Sequence, residues 1–284
     1  MNLSGKTAVY GVIGKPIEHT LSPAIQNAAF GALELDSIFL AFKVEPGQVK
    51  NALDGMRGLG IRGLNVTMPY KNAVIPYLDE VDETARFLGS VNTVFNDAGK
   101  LRGFSTDGAG AHLALEQNGV PLAGKRLVLI GAGGAAKAIA FTLAKEVKEM
   151  VLLNRTMAKT TALAEAINQK FHRRVTAGPL SSSIIQKNLL TADILINATN
   201  VGMVPRETQS LVKPEWLKPN LAVMDVVYSP QKTKLAKDAE AAGAHVVSGV
   251  EMLIYQGAAS FEIWTGKPAP VEVMRKAALN NLRK

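Results

Sequence analysis

Cysteine is absent from this 284-residue chain, which excludes a disulfide framework, a thiolate zinc site and a thiol nucleophile. Any redox chemistry therefore needs a bound cofactor. Long apolar runs are missing as well: no stretch reaches the roughly 18 apolar residues of a membrane helix, and Met1 to Tyr10 has no apolar core behind a basic head. A cytoplasmic protein with no membrane partner is the expectation. Histidine is scarce, and His19, His112, His172 and His245 have no metal-ligand spacing, so no metal is expected.

What is present looks like an ordinary globular enzyme. A charged fraction of 20% and a hydrophobic fraction of 47% argue against disorder. The net charge of +8 comes from scattered Lys and Arg. Even the densest run, Lys170 to Arg174, includes only Lys170, Arg173 and Arg174, which suits small anionic ligands better than nucleic acid. Asn-x-Ser/Thr matches at Asn2, Asn65, Asn154 and Asn197 are read as unglycosylated, because no secretory route is offered.

The length exceeds a usual single domain. In the first third, apolar runs at Thr7 to Ile13, Ser37 to Val44, Gly63 to Val66 and Asn92 to Asn96 read as strands. Three- and four-residue apolar spacing over Pro23 to Leu33, Gln48 to Leu59 and Gly108 to Asn118 predicts helices between them. A turn-rich break at residues 119–124 precedes the most apolar strand, Arg126 to Ile130. Beyond it, helices at Ala135 to Glu146 and Met157 to Gln169 alternate with strands at Met150 to Leu153, Ile194 to Asn197, Ala222 to Val226 and His245 to Val247. That rhythm predicts a doubly wound parallel sheet. The end is helical, over Met252 to Thr265 and Val271 to Leu282. There is no fixed-period repeat.

The strand Leu127 to Ile130 runs straight into Gly131-Ala132-Gly133-Gly134-Ala135-Ala136 and a helix. Dinucleotide sites use this order: one glycine makes the tight turn, another admits the pyrophosphate, and the helix N-terminus offers free N–H groups. Ala136 fills the usual third glycine position and is small enough for close helix packing. At the end of the next strand an NAD site carries Asp or Glu for the ribose 2′-hydroxyl. Asn154-Arg155-Thr156 and Lys159 stand there instead, and a guanidinium suits a 2′-phosphate. NADP is therefore the expected cofactor, although Arg155 and Lys159 also read as solvated charges.

Four polar segments lie between apolar runs: Glu18-His19-Thr20-Leu21-Ser22-Pro23, Asn65-Val66-Thr67-Met68-Pro69-Tyr70-Lys71, Ser90-Val91-Asn92-Thr93 and Phe104-Ser105-Thr106-Asp107-Gly108. With the glycine turn, Asn197-Ala198-Thr199, Asp225-Val226-Val227-Tyr228 and residues 249–256, they resemble the shikimate dehydrogenase family over nearly the whole chain. The resemblance implies that Thr20 and Ser22 bind a substrate carboxylate with Tyr228 nearby, His19 at most flanking it. Thr20 stands where the family usually has Ser. It further implies that Lys71 and Asp107 form the catalytic pair, and that Thr67, Asn92 and Gln256 bond ring hydroxyls. Thr199, Val226 and Gly249 would approach the cofactor. Taken alone, Ser22 reads as a helix N-cap followed by Pro23, Lys71 as a surface lysine, Asp107 as an N-cap for a helix beginning at Gly108, and Gly249 as a plain turn.

The resulting expectation is an α/β chain: an N-terminal α/β substrate domain, residues 1–118, plus a Rossmann-type doubly wound NADP-binding domain, residues 119–249. Helices 250–284 would return to the first domain, with the active site in the cleft. The implied reaction is NADPH-dependent, reversible reduction of 3-dehydroshikimate to shikimate in aromatic amino-acid biosynthesis. Lys71 relays the proton, and the protein is a monomer or homodimer. A broader quinate/shikimate dehydrogenase and a non-enzymatic NADPH-binding regulator are the rivals.

Overall fold

A computed structural model describes residues 3–282, so Asn2, one of the four glycosylation matches, lies outside the described residues. The chain divides into two compact units, Met1–Asp107 with Ile254–Lys284, and Gly108–Leu253.

In the first unit β1 (Ala8–Gly14), α1 (Ser22–Ala32), β2 (Ser37–Lys43), α2 (Val49–Gly58), β3 (Gly63–Val66), β4 (Glu80–Val81), α3 (Glu83–Leu88), β5 (Thr93–Asp97) and β6 (Lys100–Phe104) follow one another. They form a six-stranded sheet in the order β2-β1-β3-β5-β6-β4. β1 runs parallel to both β2 and β3. Val49, Leu53 and Met56, spaced to share one face of α2, are buried in a cluster with Leu64, Val66, Val94 and Leu101. β5 is antiparallel to β3 and to β6. This reversal brings the end of β3, the start of β5 and the end of β6 to one edge of the sheet.

β6 and α3 are absent from the sequence expectations. β6 exists because Ala98 and Gly99 both take positive φ, 51° and 94°, the two-residue turn that a right-twisted hairpin prefers. α3 is only six residues long and is held at its ends: Asp82 accepts hydrogen bonds from the Thr84 and Ala85 amides, and Gly89 closes it with φ 60°.

The second unit continues with α4 (Asp107–Gln117), β7 (Arg126–Ile130), α5 (Gly134–Leu143), β8 (Glu149–Asn154), α6 (Met157–Phe171), β9 (Val175–Pro179), α7 (Ser182–Leu189), β10 (Ile194–Asn197), β11 (Ala222–Asp225), α8 (Lys234–Ala241) and β12 (His245–Ser248). All strand pairs are parallel, in the order β12-β11-β10-β7-β8-β9. Counted within the unit, this is the 3-2-1-4-5-6 arrangement of a doubly wound dinucleotide fold, whose direction reverses between β7 and β10. Leu127, Val128, Leu129 and Ile130 of β7 are fully buried, as a strand flanked on both sides and covered on both faces must be. The unit boundary at Asp107/Gly108 falls before the turn at 119–124. α4 lies so close to α5 that a Cβ on Gly108 would meet Ala138 O at 2.6 Å, which places the helix with the second unit.

The chain ends with α9 (Gly249–Thr265) and α10 (Val271–Leu282). Trp264 of α9 donates from Nε1 to Val94 O at 3.0 Å, and its ring leaves no room for a Cβ at Gly63. Phe261 packs against Phe30, and α10 against α1.

Candidate active site

At the shared edge of the first sheet, Val66 N donates to Asn92 O at 2.8 Å and Asn92 N donates to Phe104 O at 3.0 Å. The three strand ends are thereby fixed at backbone level, with Lys71, Asn92 and Asp107 on the segments that leave them. The Lys71 segment is itself anchored. Thr67 N bonds Ile13 O, Tyr70 Oη donates to Val44 O at 2.7 Å, and Val91 N donates to Lys71 O at 2.7 Å.

Lys71 Nζ stands 2.5 Å from Asp107 Oδ2. The carboxylate side chain is 7% exposed and the lysine side chain 22% exposed, so the pair has a buried anion and a cation that reaches open space. Asn92 Nδ2 donates to the other carboxylate oxygen at 2.8 Å and lies 2.9 Å from Thr106 Oγ1 and 3.3 Å from Gln256 Oε1. Asn92 Oδ1 accepts from Thr106 N at 2.8 Å. Asp107 is the first residue of α4, with both oxygens bound by side chains, so the expectation of an N-cap before Gly108 is corrected. Lys71 is likewise no free surface lysine. The ammonium has three N–H donors, of which the carboxylate takes one, so a proton can be passed to a substrate oxygen.

A layer of hydroxyls adjoins this cluster, and one of its members, Ser260, carried no functional signal in the sequence. Ser260 Oγ bonds Asn65 Nδ2 at 3.0 Å, Thr93 Oγ1 at 2.7 Å and Gln256 O at 3.0 Å. Ser260 and Thr93 are fully buried. Ser260 reads as an ordinary small helix position, and only the packing of α9 reveals that it meets Thr93.

Thr20 and Ser22 also come together. Thr20 Oγ1 donates to Ser22 Oγ at 3.2 Å and accepts from Ser22 N at 3.3 Å. Ser22 is the first residue of α1, Leu21 is the cap residue, and no side chain caps the helix. The N-cap reading of Ser22 is thus corrected: the first helical N–H is taken by Thr20 Oγ1 and Pro23 has none, so this end offers an anion the two hydroxyls rather than a row of free amides. Gln256 lies with Asn92 in the first unit, as does Thr67, which packs at Gly14. Tyr228 belongs to the second unit, and burial pushes its hydroxyl pKa up, keeping it a neutral donor.

The glycine turn has the form its sequence suggests. Gly131 has φ 123°, and a Cβ there would stand 2.7 Å from Ala198 O. The turn after β7 therefore meets the turn after β10 at the point where strand order reverses. Gly133 caps α5 with no side-chain bond, and a Cβ there would touch nothing within 4 Å. Ala136 is fully buried, as a small residue in the third glycine position should be. Gly134 and Ala135 open the helix.

At the end of β8, Asn154 Nδ2 donates to Thr156 O at 3.0 Å and shapes the turn. Arg155, Thr156 and Lys159 are exposed, and among the described residues neither cation has an ion-pair partner. After β10, Asn197 Oδ1 accepts from Thr199 Oγ1 at 2.7 Å. Asn197 Nδ2 donates to Asp225 Oδ1 at 2.9 Å. Gly249 is no plain turn. It opens α9, and a Cβ there would meet Asp225 O at 2.5 Å and the Val226 carbonyl at 2.8 Å. Asn65 and Asn197 are buried with their amides engaged, so neither is a glycan acceptor.

No helix among the described residues is long and apolar enough to cross a membrane, and no cluster among them could hold a metal. Residues 12–94 match the shikimate dehydrogenase substrate binding domain, residues 112–226 the shikimate / quinate 5-dehydrogenase family, and residues 249–279 the shikimate 5'-dehydrogenase C-terminal domain. A shikimate dehydrogenase (NADP(+)) of Methanopyrus kandleri is 47% identical, with 100% of this chain and 99% of the relative covered. Among solved structures, a shikimate dehydrogenase in complex with NADP+ is 41% identical with a TM-score of 0.92, covering 100% of this chain and 98% of that one. The Listeria monocytogenes shikimate 5-dehydrogenase in complex with shikimate and NAD is 39% identical with a TM-score of 0.91, covering 97% and 98%. With three family segments matched in order and identity sustained from end to end, the chain belongs to the shikimate dehydrogenase family.

Proposed function

We propose that this protein is an NADP-dependent dehydrogenase that reversibly reduces 3-dehydroshikimate to shikimate, a step of aromatic amino-acid biosynthesis. The names of its relatives and the ligands of its structural neighbours support the reading. The observation that carries it is the Lys71–Asp107 pair, braced by Asn92.

The residues fit the cofactor. Gly131 to Ala135 provide a turn with open space at Gly133 and an uncapped helix end for the pyrophosphate. Arg155 and Lys159, exposed and without ion-pair partners in the described chain, suit the 2′-phosphate, with Asn154 and Thr156 shaping the turn. Thr199, Val226 and Gly249 are assigned to the nicotinamide side. The bound cofactor supplies or receives the hydride.

The chain's own residues handle the proton and the orientation. In reduction, Lys71 donates a proton from Nζ to the substrate's carbonyl oxygen; in oxidation it takes the proton back. Asp107 holds Nζ at 2.5 Å and orients it. The hydroxyls of Thr20 and Ser22 receive the carboxylate, and Tyr228 is assigned to the substrate on the family resemblance alone. Thr67, Asn92 and Gln256 bond ring hydroxyls, and buried polar groups left unpaired penalise analogues that lack them.

A second reading is broader use of quinate, which the added methyl of Thr20 keeps in view. Steady-state rates for shikimate and quinate, each with NADP and NAD, separate the two. Shikimate with NADP giving the highest kcat/KM supports the proposal. Equal or higher values for quinate with NAD would replace it with the second reading.

A further inference from the structure

The carboxylate of Asp225 is 3% exposed at the end of β11, and the proton-transfer chemistry does not use it. Its oxygens are fully engaged. Oδ1 accepts from Asn197 Nδ2 at 2.9 Å and from the Val227 amide at 3.1 Å, and Oδ2 accepts from Thr233 Oγ1 at 2.7 Å. Asn197 passes the constraint on: its Oδ1 accepts from the Thr199 amide at 3.2 Å and the Thr199 hydroxyl at 2.7 Å, while Thr199 Oγ1 accepts from Val201 N at 3.2 Å. The start of α9 presses on the same backbone, where Gly249 leaves no space for a Cβ beside Asp225 O and Val226. The ends of β10 and β11 are thus tied through one carboxylate, and the end of β12 presses on the backbone beside it.

Burying an acid is a costly way to tie loops together. Desolvation pushes the Asp225 pKa up to about 6, against the lowering effect of Thr233, Val227 and Asn197. A neutral side chain could fill the space, yet none could accept three hydrogen bonds with charge assistance. The loops so fixed carry Thr199, Val226 and Tyr228, three residues assigned above to ligand binding.

We infer that Asp225 is a positioning residue of the cofactor site: through Asn197 it sets the loop that carries Thr199, and through the Val227 amide it sets the turn that carries Val226 and Tyr228. Asp225 touches neither cofactor nor substrate in this role, and the inference rests on the cofactor assignment above.

The test uses the full chain and titrates NADPH by its fluorescence, alongside kcat and KM for NADP and thermal melting. Asp225→Ala is expected to raise the NADPH Kd by about tenfold or more, the scale of losing a charge-assisted bond. Asp225→Asn, whose amide oxygen still serves Asn197 and Val227, should recover most of that affinity. Should Asp225→Ala fail to fold, Asn197→Ala removes the side chain that links Asp225 to Thr199, together with its bond to Val201 O, and is expected to raise the Kd in the same direction. A lowered melting temperature with wild-type Kd and KM for NADP in the folded variants would overturn the inference, leaving Asp225 a structural tie. Wild-type protein that does not bind NADPH would overturn the cofactor assignment itself, and this inference with it.

Discussion

Asn92 and Asp107 are joined by a hydrogen bond of 2.8 Å from Nδ2 to Oδ1, on the carboxylate whose other oxygen holds Lys71. A residue just before β5 therefore orients one at the start of α4, and the ammonium follows. Asn92→Ala removes this brace and leaves a buried carboxylate oxygen unpaired. It is expected to lower kcat/KM for shikimate by about ten- to a hundredfold, with NADPH affinity unchanged in a fluorescence titration.

Arg155 stands exposed beyond β8 with no ion-pair partner among the described residues. Arg155→Ala should raise KM for NADP by about tenfold or more, from the loss of a charge-assisted contact, and leave KM for NAD nearly unchanged. Equal effects on the two cofactors would show that the guanidinium does not read the 2′-phosphate.

Gly131→Ala tests the turn itself. The position has φ 123°, and the new Cβ would lie 2.7 Å from the Ala198 carbonyl oxygen. Backbone strain of this kind costs about 1–3 kcal/mol, and the shift it forces also moves the turn after β10. Both the melting temperature and NADPH affinity should fall. Gly133→Ala, which meets nothing within 4 Å, should keep the melting temperature while weakening NADPH binding.

Asp225 predicts a pH signature in stability. Its folded pKa of about 6 exceeds the ordinary 3.8, so the folded state holds the proton more tightly than the unfolded chain. The associated stabilisation is complete below the ordinary value and is lost as pH rises towards 6. Asp225→Asn lacks this titration. The melting temperature of the variant minus that of the wild type should rise between pH 3.8 and about 6 and level off above. A difference independent of pH would show that Asp225 titrates at its usual place.

Most of the second unit was legible in the sequence because β7, β8, β10 and β11 are buried strands with continuous apolar runs, and the glycine turn has its own backbone demands. β9 was not, since Val175–Pro179 contains Gly178 and Pro179 and becomes a strand only by pairing with β8. α7 and α8 are eight-residue helices started by Ser181 and Thr233 caps, too short for a strong periodic signal. In the site, motif resemblance picked out Lys71, Asn92, Asp107 and Gln256. The parts it left dark depend on the fold: Ser260 reaches Asn65 across 195 positions, and Asp225 serves as a hub because the pairing of β10 with β11 sets Asn197 beside it while Thr233, the cap of α8, turns back onto it. Ser22, Asp107 and Gly249 were each given a local role by propensity. Each takes a different one in the fold, because neighbouring side chains or backbone compete for the same atoms.

The most direct measurement is the turnover of Lys71→Ala beside the wild type, with saturating shikimate and NADP, following the absorbance of the reduced nicotinamide. The expected result is a fall in kcat of about 10²- to 10⁴-fold, the usual worth of a positioned proton-transfer group, with KM for NADP and the melting temperature near wild type. A Lys71→Ala protein that turns over shikimate at the wild-type rate, or a wild type that binds NADPH and turns over nothing, would contradict the account.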